Sequence, residues 1–338
     1  MGQEIVCFGE LLLRLSAPGR EKLLQTPRLD VHVGGAEANV AVSLACLGHG
    51  VRMLGTVADN ALGDAAVGEL RRHGVDTASL RRTDGRMGLY FLATGAIHRP
   101  SEVLYDRADS AFARARPRDY DWDALLQGAA WLHLSGVSPA LGADCAVTTI
   151  EAARAARRLG VRVSFDGNFR GKLWQAWNGD AAGLLRQIMA EADVMFADHR
   201  DIGVVLGTAI EGAGEAAVVE GARAAFAAFP HLQWMASTVR EQHSVDAHAL
   251  SALMVGRDGA VHRAPKYELG AIVDRIGGGD AFAAGVLDAM VHGRAPDDIV
   301  HAGLAAACLK HSLPGDFNLV GRADIEAFVS QAGFHVRR

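Results

Sequence analysis

Short apolar runs alternate with longer amphipathic runs along most of the chain. Runs with apolar residues on both faces are typical of strands in a sheet that is covered on both sides. Six such runs predict strands: residues 4–9, 51–57, 131–135, 161–166, 192–197 and 233–237. The amphipathic segments between them predict helices. Strand and helix in alternation predict an α/β fold, with right-handed crossovers, a mostly parallel sheet and helices on both of its faces.

Two regions, 11–33 and 87–108, interrupt this alternation. They contain short strand-like runs with no helix between them: residues 11–15, 29–33, 89–94 and 103–107. These runs predict hairpins that form a small β-sheet lid over the carboxyl ends of the parallel strands, the edge where ligands bind in open α/β sheets. We therefore expect one domain over residues 1–338 that carries such a lid.

Composition narrows the class of protein further. Half of the 338 residues are apolar and 22% are charged, so a disordered chain is not expected. Lys and Arg total 34 against 39 Asp and Glu, a net charge of −5, which argues against a nucleic-acid groove. No apolar run is long enough to span a membrane and no secretory signal stands at the amino terminus, so we expect a cytoplasmic protein. The four cysteines are far apart and predict core residues: Cys7, Cys46, Cys145 and Cys308.

The most specific motif is DRIGGGDAFAAG over residues 274–285. Three glycines before a helix-compatible run place free backbone N–H groups at a helix amino terminus, where anions bind. Asp280, at the same point, can accept a proton from a hydroxyl. Phosphoryl transfer needs both features, donors for the phosphoryl charge and a base for the acceptor alcohol. The alternative is a glycine turn with an N-capping Asp.

Two other phosphate-binding motifs do not fit the sequence. Phe282 stands where the third glycine of a dinucleotide-binding G-x-G-x-x-G would fall, and the motif is near the carboxyl terminus rather than after the first strand. The only Gly-Lys pair, at 171–172, is followed by Leu173 instead of the Ser or Thr of a Walker loop.

The spacing D-x-x-G-x-G-D-x-F over residues 274–282 resembles the carboxyl-terminal signature of the ribokinase-like (PfkB-type) sugar kinases. GGAEANVA over residues 34–41 resembles their amino-terminal signature, so the resemblance covers essentially the whole chain. It implies a ribokinase-like fold with a β lid, ATP as phosphoryl donor, Mg²⁺, and Asp280 as the catalytic base. The implied anion hole consists of Gly277, Gly278 and Gly279.

Basic and aromatic residues at the predicted binding edge point to the type of sugar. Tyr105 and Arg107 are two apart on a predicted lid strand and project from one face. Arg170 follows the predicted strand 161–166, at its carboxyl end. Arginines and a tyrosine suit a carboxylate, whereas a neutral sugar is bound mainly by carboxylates and amides. The alternative is that both arginines form ordinary surface ion pairs.

Within the family, the chain resembles the 2-keto-3-deoxygluconate kinases. Its segments 238–244 and 309–318 also look closer to these kinases than to ribokinase or fructokinase. The resemblance rests on the pattern Gly34, Tyr90, Tyr105, Arg107, Arg170 and Asp280. It implies that Gly34 and Tyr90 contact the sugar acid. Tyr105 and Arg107 would bind its carboxylate end, and Arg170 would lie between substrate and phosphate.

The same resemblance implies the nucleotide contacts. Thr238 and Arg240 would lie along the ATP phosphates, beside Gly277 and Gly279 of the anion hole. His311 is a further candidate for contact with the nucleotide, and its alternative is a hydrogen-bonded structural histidine.

The predicted metal site departs from the family pattern. The family carries Asn-x-x-Glu after the strand at 192–197, and this chain has Asp198-His199-Arg200-Asp201. Asp198 and Asp201 keep the oxygen ligands that Mg²⁺ prefers, with altered geometry.

The resulting hypothesis is a kinase that phosphorylates the terminal hydroxyl of 2-keto-3-deoxygluconate. The alternatives are a neutral-sugar kinase similar to fructokinase or ribokinase, and a sugar-acid-binding protein on the same fold without catalysis. Sugar acids that differ at one carbon are not distinguished by residue types. The exposed edges of a β lid also predict a homo-oligomer.

Overall fold

The computed structural model describes residues 4–330, so the ends of the predicted domain at 1–3 and 331–338 lie outside the described residues. In chain order, its strands are β1 (Glu4–Phe8), β2 (Leu12–Ser16), β3 (Asp30–Gly34), β4 (Val51–Ala58), β5 (Leu80–Thr83), β6 (Gly88–Ala93), β7 (Glu102–Asp106), β8 (Ala129–Ser135), β9 (Arg162–Asp166), β10 (Val194–Phe196), β11 (Trp234–Gln242), β12 (His248–Gly256) and β13 (Val261–Leu269). Its α-helices are α1 (Ala36–Cys46), α2 (Ala61–Arg72), α3 (Trp122–Leu125), α4 (Ala143–Arg158), α5 (Gly171–Gln175), α6 (Ala181–Met189), α7 (His199–Leu206), α8 (Gly214–Ala228), α9 (Gly278–Val291), α10 (Pro296–Lys310) and α11 (Arg322–Val329).

Nine strands form the main sheet in the order β13-β12-β11-β10-β9-β8-β1-β4-β5. The strands from β11 to β5 pair in parallel, and β12 and β13 add an antiparallel edge. All six predicted strands are present in this sheet, so the predicted α/β fold with a mostly parallel sheet is confirmed. Strands β5, β12 and β13 were not predicted.

Helices cover both faces of the main sheet, and each face has its own apolar core. One core contains Val40 of α1, Leu70 of α2 and Val286 of α9, and the other contains Ile150 of α4 and Ile202 of α7. Because both faces are buried, β1, β4 and β10 consist mostly of apolar residues. No helix in residues 4–330 is long and apolar enough to cross a membrane.

The segments 11–33 and 87–108 supply a separate four-stranded sheet in the order β3-β2-β6-β7. β2–β3 and β6–β7 are antiparallel pairs, and β2 and β6 join them in parallel. We call this sheet the lid. Tyr90 of β6 lies opposite Tyr105 of β7 in the register, so both side chains are on one face of the lid. That face and the carboxyl ends of β9 and β10 border the same cavity.

Candidate active site

A cavity of about 760 Å³ lies between the lid and the carboxyl edge of the main sheet. It is lined by most of the residues predicted from the sequence: Tyr90, Tyr105, Arg107, Arg170, Asp198, Asp201, Arg240, Gly277, Gly278, Gly279 and Asp280. Gly34, Thr238 and His311 were also predicted to contact ligands and are not part of the cavity wall. The site thus brings together residues up to 304 positions apart, since Leu12 and Asp316 line one cavity (316 − 12 = 304).

The glycine turn at the start of α9 forms one wall of the cavity. Gly277 precedes the helix with a left-handed φ of 80°, and a Cβ there would lie 2.1 Å from the carbonyl oxygen of Asp316. Only glycine fits this position without strain. The N–H of Gly278 donates to the carbonyl of Arg275 at 3.3 Å, while those of Gly277 and Gly279 have no acceptor among the described residues. These free donors at a helix amino terminus can hold an anion.

Asp280 lies in the first turn of α9, three residues after Gly277. Its Oδ2 accepts a hydrogen bond from Nδ2 of Asn39 at 2.7 Å, and Oδ1 has no donor among the described residues. Burial raises the pKa of Asp280 to about 7, against the Asn39 hydrogen bond, and the charges of Glu37 and Asp316 add to the rise. A carboxyl group with a pKa near neutrality is suited to accept a proton.

Three arginines at the cavity lack a carboxylate partner among the described residues: Arg170, Arg240 and Arg275. Burial lowers the pKa of Arg240, and the charge of Arg275 lowers it further. Like charges held this close are compensated when a polyanion lies between them. Arg275 stands inside the glycine motif, where spacing alone did not indicate that its side chain faces the cavity.

The lid wall carries Arg107, which was predicted to bind a carboxylate. It is buried, and its Nε donates to Oε2 of Glu10 at 2.6 Å. Ser110 donates to the other oxygen of Glu10, so this acid is fully engaged. The terminal nitrogens of Arg107 have no partner among the described residues and remain available to a ligand. Arg107 is therefore ion-paired and still borders the cavity.

Gly34 and His311, which were predicted to contact ligands, lie outside the cavity wall and support residues of the site. A Cβ at Gly34 would lie 2.4 Å from Oδ2 of Asp316, so this glycine makes room for a carboxylate. His311 is buried behind the glycine turn, where Nδ1 is 2.6 Å from the carbonyl of Ala307 and Cε1 would be 3.0 Å from a Cβ at Gly278. Burial lowers the pKa of His311 to about 4, so the ring is neutral.

Acidic side chains at the ends of β9 and β10 form the third wall. Asp198 is the N-cap of α7 and accepts from the N–H groups of Arg200 and Asp201, as well as from the Arg200 guanidinium. The side chain of Asp201 in turn accepts a hydrogen bond from the N–H of Asp198 at 3.1 Å. Burial raises the pKa of Asp166 well above its usual range, and the charges of Asp280 and Asp201 add to this. Such mutual repulsion is relieved by a hard cation, so the acids of this wall fit Mg²⁺.

Asn39, Glu10, Asp166, Asp316 and Arg275 belong to the site and were not predicted. Asn39, Asp316 and Arg275 stand inside the motifs that carried the family resemblance, so a stricter search of those motifs could have found them. Glu10 follows the first strand, a position that in parallel sheets faces the ligand edge.

Comparison with known proteins identifies the family of this chain. The sequence model of the family described as "pfkB family carbohydrate kinase" matches residues 3–318. A 2-dehydro-3-deoxygalactonokinase of Haloferax volcanii is 33% identical over 326 residues, 96% of each chain. The crystal structure of a 2-dehydro-3-deoxygluconokinase from Thermotoga maritima superposes with a TM-score of 0.92 at 38% identity, covering 97% of this chain and 99% of that one.

A 2-dehydro-3-deoxygluconokinase of Bacillus subtilis is 26% identical over 339 residues, which are 98% of this chain and 96% of that one. Fold and sequence thus define the class as an ATP-dependent carbohydrate kinase. The chain belongs to the pfkB family, and its relatives include a 2-dehydro-3-deoxygalactonokinase and a 2-dehydro-3-deoxygluconokinase.

Proposed function

We propose that this kinase transfers the γ-phosphoryl group of ATP to the terminal hydroxyl of a 2-keto-3-deoxy sugar acid, with 2-keto-3-deoxygluconate as the expected substrate. The observation that carries the proposal is the single cavity that Asp280 shares with Arg107, Arg170 and the lid tyrosines. The wall of this cavity offers a base beside free N–H donors, together with cations that suit a carboxylate.

The proposed reaction is a direct in-line displacement. Asp280 accepts the proton of the attacking hydroxyl while that oxygen bonds to the γ-phosphorus and the bond to ADP breaks. The free N–H groups of Gly277 and Gly279 hold the phosphoryl oxygens, and Arg240 and Arg275 hold the rest of the polyphosphate. Their positions support this assignment, since all of them line the same cavity.

We further propose that Asp166 and Asp201 hold the Mg²⁺ that accompanies ATP. When bound, the ion would neutralise phosphate charge. Asp198 is the weaker candidate because its oxygens already accept from the α7 backbone and from Arg200. Of the two metal ligands predicted from the sequence, this proposal keeps Asp201 and puts Asp166 in the place of Asp198.

A coupled ADP-release assay over a panel of sugars tests the function. The panel contains 2-keto-3-deoxygluconate, its galactose epimer, fructose, ribose and nucleosides. We expect kcat/KM to be highest for one of the two sugar acids, and the two kinds of relative make both epimers worth measuring. Turnover restricted to a neutral sugar would overturn the substrate class, and binding of a sugar acid without ADP release would overturn catalysis.

Removing the charge of Arg107 tests how the sugar acid is recognised. Because removing Arg107 alone would leave the buried Glu10 carboxylate without its cation, the double variant E10Q/R107M removes both charges together. We expect KM for the sugar acid to rise about 10-fold or more, as for loss of a charged hydrogen bond. The matched control is R86M/D106N, which removes an ion pair at the lid surface. Equal KM values for E10Q/R107M and the control would contradict this role.

A further inference from the structure

Arg14 is a buried arginine on the lid strand β2. It is 1% exposed and lies between His32 of β3 and Tyr90 of β6 in the lid register. It does not line the active-site cavity. A buried guanidinium is costly unless it is paired, so its partners decide what it does.

The partners of Arg14 are two acids that lie outside the lid. Its Nη2 donates to Oδ2 of Asp274 at 2.7 Å, and its Nε lies 3.1 Å from Oδ1 of Asp316. Tyr90, on the neighbouring lid strand, donates from its hydroxyl to Oδ2 of Asp316 at 2.7 Å. Two lid strands are thereby joined to the segments that precede and follow helices α9 and α10.

Both acids shape the glycine turn of the active site. Oδ1 of Asp274 accepts the N–H of Ile276 at 3.0 Å, and its Oδ2 accepts the N–H of Gly315 at 3.1 Å. The carbonyl oxygen of Asp316 lies where a side chain of Gly277 would be, so it fixes how closely the turn can approach. A displacement of either acid would therefore move the N–H groups of the turn.

We propose that Arg14 is a positioning residue, which holds the lid and the glycine turn in one arrangement so that the acceptor sugar and the phosphoryl group meet in line. This inference rests on the proposed phosphoryl transfer and does not depend on which sugar is the acceptor. Misplacement of reacting groups by about 1 Å can cost about 100-fold in rate without loss of binding. Arg14 should therefore affect kcat far more than KM.

The test compares R14M, R14K and the control R86M. R86M removes a cation from another lid ion pair, Arg86 with Asp106 at 2.6 Å, which has no contact with the glycine turn. For each folded variant, kcat and the KM values for ATP and sugar are measured, together with unfolding in urea. We expect kcat of R14M to fall about 100-fold with both KM values within about threefold, as misplacement predicts. R14K should recover part of kcat, and R86M should resemble the wild type.

Two results would overturn the inference: a kcat of R14M near that of the wild type, or a loss confined to KM. If R14M does not fold, the R14K variant is the test. Lowered stability of R14K with an unchanged kcat would show that Arg14 has a structural role alone, and would overturn the inference. The sugar panel keeps the two proposals apart. A wild type without kinase activity defeats the proposed function, whereas an active wild type with unaffected Arg14 variants defeats only this inference.

Discussion

Helix α9 carries an aspartate near each end, and the two have opposite environments. Asp288, in the last turn, lies 2.8 Å from Nε2 of His49 and accepts from Nη2 of Arg322 at 2.6 Å. Burial raises its pKa, but these partners outweigh burial and the net pKa is lowered. Within residues 4–330, Asp280 in the first turn has only the neutral Asn39 as a side-chain donor, and its pKa is raised. The same residue type on one helix is thus a structural anion at one end and a candidate base at the other.

Replacing each aspartate by asparagine should separate these roles. We expect D280N to lower kcat by about 10²- to 10⁴-fold, the usual contribution of a general base, with the affinity for sugar acid nearly unchanged. D288N should keep kcat and lose about 2 kcal/mol of unfolding free energy, because charged hydrogen bonds are lost. Steady-state kinetics and urea unfolding measure both. Near-normal turnover of D280N would rule out Asp280 as the base.

The same two variants should differ in how stability depends on pH. The pKa of Asp280 is higher in the folded state, so its ionisation costs stability as pH rises from about 4 to 7, and D280N should avoid that loss. The pKa of Asp288 is lower in the folded state, so its contribution is present at neutral pH and is lost on acidification. Urea unfolding at pH 5 and pH 8 checks the first sign, and unfolding at pH 3 and pH 5 checks the second. A D280N variant less stable than the wild type at pH 8 would contradict the first.

Alanine substitutions within the glycine turn sharpen the account of the first turn. G277A places a side chain at φ 80° against the Asp316 carbonyl. We therefore expect the free energy of unfolding to fall by about 1–3 kcal/mol, and kinase activity to fall as well. G279A is the matched control, because a Cβ there meets no described atom within 4 Å apart from its chain neighbours and its own helix backbone, so the fold should be unaffected. Equal stability of the two variants would contradict the role of the left-handed turn.

The smallest effect is expected from Glu37, a buried acid that raises the pKa of Asp280 by its charge. Its Oε1 accepts from Ser135 and Ser138 at 2.8 and 2.7 Å, and glutamine can keep an oxygen acceptor there. We expect E37Q to move the acid limb of the kcat/KM profile to lower pH while the maximum rate changes little. A limb at the wild-type pH would show that Glu37 does not influence the base.

Much of the fold could be predicted because buried parallel strands have continuous apolar runs. The edge strand β13 was not predicted, since it contains charged residues and Pro265, and it forms only through pairing with β12. An edge strand tolerates a proline where a central strand would not. Tertiary pairing therefore decides this part of the sheet.

The candidate site was predictable in its composition and less so in its contacts. The ion pair of Arg107 with Glu10 joins residues 97 positions apart, and no local pattern indicates it. The use of Asp198 as a helix cap could have been predicted, because Asp-x-x-Asp before a helix is similar to a capping box. Motifs thus indicated which residues gather at the site, and the structure adds which of them are already paired.

The pH dependence of kcat/KM for the free enzyme tests the central claim most directly. If the first turn of α9 holds Asp280 as a base with a pKa of about 7, kcat/KM should rise through that pH and then level off. D288N should show the same profile, since its aspartate is at the other end of the helix. A rate independent of pH between 5 and 8 would contradict the assignment of Asp280 as the base.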